Sequence, residues 1–305
     1  MTGESEAAVF FHQVRPDEDG KMVQQVLRNR FRFSRRMFRR LKQQRAVEVN
    51  GGTVFLTSRV KAGDVIRVRM PEEEKESVSP EPVPIQVVYE DEDVILLDKP
   101  PGLVVHPTKG VYSGTLANGL VHYWKERGED RAVRPVTRLD KDTSGLILFA
   151  KHPYAHAFLA EQMERKRYRR DYLALVHGRM KGEGGIIDAP IGRDEQHPTR
   201  REVRSDGAHA VTHYRVLQRW QNATLLRLSL ETGRTHQIRV HLAYLGYPII
   251  GDALYGGERS DFPIERQALH AAYLKLFHPR ERREVEWSSP LPADMERVLH
   301  FLEDH

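Results

Sequence analysis

The stretch PEEEKESVSPEPVP, Pro71 to Pro84, restricts most strongly how this 305-residue chain can fold. It mixes acidic residues with proline and shows no hydrophobic periodicity, so it buries nothing and reads as an extended linker. The chain therefore divides into a small unit over 13–71, a linker over 72–84 and a larger unit over 85–295, each needing its own core. Apolar residues make up 39% of the sequence, which suits globular units. No apolar run approaches the roughly 20 residues that span a bilayer. The start, MTGESEAAVFFHQV, has neither a basic n-region nor a long apolar h-region. Cysteine is absent, which excludes disulfides, thiolate zinc sites and cysteine nucleophiles. We expect a cytoplasmic protein with no membrane partner.

In the small unit, Met22, Val23, Val26 and Leu27 recur at helical spacing. Ser34 is placed to cap a second helix whose Met37, Phe38 and Leu41 share one face. Its other faces carry Arg35, Arg36, Arg39, Arg40 and Lys42. From Arg28 to Arg45 there are nine Lys or Arg and no Asp or Glu, with Phe31, Phe33 and Phe38 interleaved. Such a block suits a phosphate-bearing partner, although a solvated helix face would read the same way. VEVNGG then alternates Val47 and Val49 before Asn50-Gly51, a hairpin signal, and AGDVIRVRM adds a strand with Ile66, Val68 and Met70 on one side. This order resembles the S4 RNA-binding module, which implies RNA contact through the second helix and the loop after it.

The larger unit mixes strand-like runs with helices over Leu116 to Trp124, Pro153 to Met163 and Thr235 to Leu245, without regular βαβ alternation. An α+β sheet domain is expected. Within it, RPVTRLDKDTSGLILFAKHP, Arg134 to Pro153, packs Arg138, Asp140, Lys141 and Asp142 against an apolar run. Three readings compete. A calcium loop would use Asp140, Asp142, Ser144 and Gly145, but its twelfth position is Lys151 where a bidentate Glu belongs. A solvated turn explains Asp, Thr, Ser and Gly equally well. The third reading is a catalytic carboxylate held at the rim of a sheet.

The segments DKPPGLVVHP, RLDKDTSGLILFAK, RDYLALVHG, TGRTHQIRVHLAYLGYPIIGDALYG and ALHAAYLKLFHP occur in that order. Together they closely resemble the signature segments of the RluA-type RNA pseudouridine synthases, over nearly all of Ile85 to Pro292. Two positions depart from the family pattern: Thr137 stands where a His usually precedes Arg-Leu-Asp, and Arg170 where a Lys is usual. The resemblance implies a mixed, largely antiparallel central sheet flanked by helices. It also implies isomerisation of uridine to pseudouridine in RNA, with large-subunit ribosomal RNA the leading substrate and transfer RNA the alternative.

The same resemblance assigns roles. Asp140 would be the catalytic carboxylate, acting at the ribose C1′. Arg234 would pair with it, since a neighbouring guanidinium favours the charged form of a carboxylate. Tyr172 would stack on the target base, and Arg138 would fill the stack that the extruded base leaves. Apart from the resemblance, the basic run Arg165, Lys166, Arg167, Arg169 and Arg170 is expected to line the RNA path, although the solvated end of a helix would read the same way. His236 and His241, five apart and without an adjacent Glu, lack a zincin pattern and read as hydrogen-bonded structural residues. We expect no metal, no organic cofactor and a monomer. Two rival readings remain: an RNA-binding or ribosome-assembly factor that does no chemistry, and an N-glycosidase that releases uracil.

Overall fold

The computed structural model describes residues 9–31, 33–70, 78–257 and 261–304. The N-terminal unit contains strand β1 (Val9–Gln13), a 3-10 turn (Pro16–Glu18), helices α1 (Val23–Phe31) and α2 (Arg35–Gln43), and strands β2 (Val47–Val49), β3 (Gly52–Thr53) and β4 (Val65–Arg69). The strands form one antiparallel sheet in the order β1-β4-β2-β3. Strand β1 was not anticipated, because VFFHQ is a five-residue run with no turn signal ahead of it. The helices form where the spacing predicts. Ser34 accepts the Met37 N–H at 3.2 Å, capping α2. Met37, Phe38 and Leu41 are buried with Val23, Val26 and Leu27, each contributing roughly 1.5–3 kcal/mol of transfer free energy. Asn50 and Gly51 both have positive φ, as the tight β2–β3 hairpin requires.

Glu18 is buried in this unit and accepts hydrogen bonds from His12 Nε2 and Arg30 Nε, both at 2.6 Å, and from the Arg15 N–H at 3.0 Å. Burial pushes its carboxyl up, but these three donors outweigh it and hold the pKa at about 2. The folded value is depressed, so the stabilisation is complete above the ordinary pH 4.5 and is lost as pH falls toward 2. Urea unfolding at a series of pH values should therefore show a smaller acid loss of stability in Glu18→Gln than in the parent. Identical slopes would contradict this account.

The unit is docked on the rest of the chain. Tyr154, from helix α4 (Pro153–Glu164), is buried in the core of the N-terminal unit, with its ring 5.1 Å from those of Phe10 and Phe33. Arg280 donates to the Val9 carbonyl at 3.2 Å and lies 4.6 Å over the Phe10 ring. Arg282 stacks 4.3 Å over Phe158 and bonds the Tyr154 hydroxyl. Residue 71 and residues 72–77 of the linker lie outside the described residues. Its second half runs along helix α3 (Leu116–Glu126), where Asn118 Nδ2 donates to the Ser79 carbonyl at 2.8 Å.

The larger unit is built on one mixed sheet. Its strands are β5 (Gln86–Glu90), β6 (Val94–Lys99), β7 (Ser144–Ala150), β8 (Arg169–His177), β9 (Gly184–Asp188), β12 (Val211–Arg219), β13 (Ala223–Leu230), β14 (Leu269–Phe277) and β15 (Glu284–Ser288). Strands β10 (Ile191–Arg193) and β11 (Arg201–Val203) pair separately. The main order is β5-β6-β7-β14-β8-β13-β12-β9, with β15 on the free part of β14. Every pairing is antiparallel except β7 with β14. This is the α+β architecture expected. The run Leu146 to Ala150 is apolar because β7 is buried along its whole length between two core clusters. Helices α5 (Gln237–Tyr244) and α6 (Ala293–Asp304) pack through Ile238, Leu242, Met295, Val298 and Leu302 onto the core at β8 and β13. Among the described residues, no helix is long and apolar enough to cross a membrane.

Candidate active site

The charged stretch ahead of β7 is a wide turn beyond the end of the sheet. Before it, the Ala150 N–H bonds the Arg134 carbonyl and the Val136 N–H bonds the Leu148 carbonyl, both at 2.9 Å, so residues 137–143 project past the paired strands. Buried cations take the carbonyls of this turn. Lys99 Nζ donates to the carbonyls of Lys141 at 2.7 Å, Pro100 at 2.8 Å and Leu103 at 2.9 Å. Burial pulls the Lys99 pKa down to about 7, against the opposing pull of the Asp142 and Asp140 charges. Arg266 donates to the Asp142 carbonyl at 3.0 Å while its other nitrogens grip Asp294 at 2.6 and 2.9 Å. Ser144 Oγ meets His270 Nδ1 at 3.0 Å. At the end of the turn only glycine fits: Gly145 has φ +108°, and a Cβ there would stand 2.3 Å from the Ala271 carbonyl oxygen.

Asp140 is thereby held at the rim with its carboxylate partly open to solvent. Arg239, on α5, places Nη1 3.2 Å from Asp140 Oδ2. The same guanidinium grips Asp252 in fork geometry, Nε to Oδ2 at 2.7 Å and Nη2 to Oδ1 at 2.8 Å. Asp252 is buried and also accepts the Leu254 N–H at 3.1 Å. Burial pushes the Arg239 pKa down, but the Asp252 contact and the Asp140 charge more than offset it, so the net shift is upward. A permanently charged donor is thus fixed against one carboxylate oxygen.

Tyr172 lies on β8, paired with Ala271 and Leu228, and is 5% exposed. Burial raises its pKa; the neighbouring Arg170 opposes this and Asp140 adds to it, so the phenol stays neutral at ordinary pH. His236 ends the loop before α5 in the left-handed region, φ 57°, with Nδ1 2.8 Å from the Tyr255 hydroxyl and Nε2 4.0 Å from Asp140 Oδ2. Its pKa is lowered, chiefly by burial.

The Arg234 expectation is corrected by this geometry. Arg234 is exposed, its Nε donates to the His209 carbonyl at 2.9 Å, and the arginine on Asp140 is Arg239, five residues on. Arg234 precedes the helix and points along the surface, whereas Arg239 lies inside it on a buried face. One signal was legible: Arg239 sits between apolar Ile238 and Val240 in a helix rich in buried residues, and a buried arginine needs partners. His236 was read as structural, yet it borders Asp140. His241 does bond internally, to Thr212 Oγ1 at 2.8 Å and the Ala189 carbonyl at 2.9 Å. Asp252 and Tyr255 lie in the quoted segment that ends GDALYG, but neither was assigned a role there.

Of the basic residues, Arg138 is exposed two positions before Asp140. Arg165 pairs with Glu161 at 2.6 Å, Lys166 with Glu231, and Arg169 with Asp171 at 2.8 Å. Arg167 is exposed. Arg170 is half-buried, with its guanidinium over the Tyr168 ring and near Gly233 and Tyr172. Thr137 places its hydroxyl beside the buried Tyr168 phenol. In the N-terminal unit, Arg35, Arg39 and Lys42 are exposed and Arg40 is half-buried; the Arg36 side chain lies outside the described residues.

A carboxylate paired with a buried arginine near a buried phenol, at the rim of a mixed sheet, is a group that could act as a nucleophile or a base. The family profile for RNA pseudouridylate synthase matches residues 93–244, which includes Asp140, Tyr172 and Arg239. The chain is 46% identical over 259 residues to the uncharacterized RNA pseudouridine synthase YlyB of Bacillus subtilis (strain 168), covering 84% of this chain and 85% of that one. It is 41% identical over 259 residues to ribosomal large subunit pseudouridine synthase D of Escherichia coli (strain K12), covering 80% and 78%. Among solved structures, human RNA pseudouridylate synthase domain containing 1 superposes with TM-score 0.55 at 25% identity, over 76% of this chain and 98% of that one. The chain belongs to the RluA-type RNA pseudouridine synthases, enzymes that isomerise uridine to pseudouridine within an RNA chain.

Proposed function

We propose that Asp140 is the catalytic carboxylate of this isomerisation and that the substrate is large-subunit ribosomal RNA. One observation carries the first part: the Asp140 carboxylate stands 3.2 Å from Arg239, which buried Asp252 locks in place. Asp140 engages the ribose C1′ as its bond to N1 breaks. The uracil turns, C5 joins C1′, the C5 proton leaves and N1 takes a proton, so atoms balance without a cofactor. Tyr172 contacts the target base, and Arg138, exposed beside the turn, fills the stack when the base is extruded. The ribosomal assignment rests on relatives named for the large subunit, at 41% and 42% identity.

The N-terminal unit is read as an S4-type module that holds the RNA. Supporting this are its exposed Arg35, Arg39 and Lys42 and the exposed Phe55, cations for phosphates and a ring for stacking. The test is tritium release from RNA labelled at uridine C5, taken from cells lacking this protein. Release without free uracil supports isomerisation and excludes the glycosidase. Release from transfer RNA alone would overturn the ribosomal assignment. No release from either naked RNA or ribosomal precursors would leave a binding factor.

Tyr172→Phe is expected to bind RNA with nearly unchanged affinity yet lose turnover by about 10²-fold or more, since a positioned proton-transfer group contributes on that order. Equal single-turnover rates for parent and variant would remove Tyr172 from the chemistry.

A further inference from the structure

His236 is held in a way that helix capping does not explain. Its backbone is left-handed and its side chain makes no capping bond to α5. Single residues kept in that region cost on the order of 1–3 kcal/mol and cluster at functional sites. The ring is oriented from behind. The Tyr255 hydroxyl accepts the Arg201 N–H at 2.9 Å, so its own hydrogen is free to point at His236 Nδ1, 2.8 Å away. With the Tyr255 hydroxyl as the donor, we assign the ring hydrogen to Nε2, the nitrogen that faces the Asp140 carboxylate. Arg239, 5.0 Å over the Tyr255 ring, already supplies the positive charge at this spot.

The distance from Nε2 to Asp140 Oδ2 is 4.0 Å, too long for a direct hydrogen bond. An oxygen about 2.8 Å from both atoms fits between them. Nε2–H is a donor and the carboxylate an acceptor, so the pair is complementary to a hydroxyl, which accepts one bond and donates another. A phosphate oxygen would meet the carboxylate as a like charge. With Asp140 at C1′, the nearest ribose hydroxyl is the one on C2′.

We propose that His236 and Asp140 together bind the 2′-hydroxyl of the target uridine, with His236 donating to its oxygen and Asp140 accepting its hydrogen. The inference rests on the reading of Asp140 at C1′. It makes His236 a specificity-determining residue, because the 2′-hydroxyl is what distinguishes RNA from DNA at a single nucleotide. Tyr255 is the positioning residue behind it.

The test is a cycle of two enzymes and two substrates. The modified uridine is first mapped with the parent enzyme on RNA from cells lacking the protein. It is then replaced by 2′-deoxyuridine at that one position by ligation. Single-turnover rates are compared for the parent and His236→Phe. Removing the 2′-hydroxyl also changes the reactivity of the sugar, but equally for both enzymes, so the ratio isolates the contact. The deoxy penalty should be at least about tenfold smaller in His236→Phe than in the parent, the value of one hydrogen bond to a charged or buried group. His236→Gln, whose amide can donate from a similar position, should recover much of that discrimination and guards against a folding defect. Tyr255→Phe should weaken it. Equal deoxy penalties in the parent and in both His236 variants would overturn the proposal. An active Asp140→Ala would instead sink the underlying reading of the carboxylate.

Discussion

Arg239→Leu is expected to lose both turnover and stability, while Arg234→Ala loses little of either. Arg239 connects two carboxylates, buried Asp252 and partly open Asp140. Removing it strands Asp252 without its bidentate partner. Breaking a buried ion pair from one side typically costs about 3–5 kcal/mol. It also frees Asp140 from its fixed donor, and loss of such a preorganised contact lowers turnover by on the order of 10²–10³-fold. Arg239→Lys should be a poor substitute, because an ammonium cannot span two carboxylates in fork geometry. Arg234 is exposed, its described side-chain bond goes to the His209 carbonyl, and its backbone bonds to Gln237 survive truncation, so its replacement should change stability by about 0.5 kcal/mol or less. Thermal unfolding and single-turnover rates on one RNA check the pair of variants. The reverse ranking would return Arg234 to the role first expected of it.

Asp140→Asn should abolish turnover while leaving the protein folded and able to bind RNA. An amide cannot serve as the nucleophile or base at C1′, and removing a catalytic nucleophile commonly costs about 10⁴-fold or more. Stability should move by no more than about 1 kcal/mol, because Asp140 is partly exposed and Arg239 keeps both its bonds to Asp252. The turn itself is held through backbone carbonyls, by Lys99 and Arg266, and does not need the Asp140 side chain. RNA affinity should be unchanged or tighter, since the substitution removes a negative charge from a surface that meets phosphates. A filter-binding titration beside the tritium assay separates these effects. Loss of binding in parallel with activity would mean that the carboxylate organises the fold of the turn and not the reaction.

The contrast between these two predictions also separates what could be read along the chain from what could not. Periodicity and capping are local, and they located α1, α2, α3 and α4, the Asn50-Gly51 hairpin and the buried β7 without any tertiary information. The turn that carries Asp140 was legible from contiguous charges, small polar residues and an apolar strand, but that pattern fits a solvated turn equally well, and only the resemblance of several distant segments to one family singled out Asp140. The glycine after the turn was legible as a turn former, but its true constraint, the Ala271 carbonyl against its missing Cβ, comes from a strand more than a hundred residues away.

The partner of Asp140 was decided only by the fold. Arg234 and Arg239 are the same residue type in one motif, and the choice depends on where α5 begins. Once His236 takes the left-handed conformation and the helix starts at Gln237, the face that turns inward carries Arg239 and leaves Arg234 outside. Asp252, Tyr255, Lys99 and Arg266 reach the site from three further segments, each with a local sequence that says nothing of a carboxylate at Asp140. The sequence alone determined most element types and the cores, because those follow from side-chain spacing along one strand or helix, whereas the class of chemistry was implied by the resemblance of its motif segments to a family. Which charges meet and how the N-terminal unit seats on Tyr154 were settled by long-range packing, which brings together groups that no local pattern links.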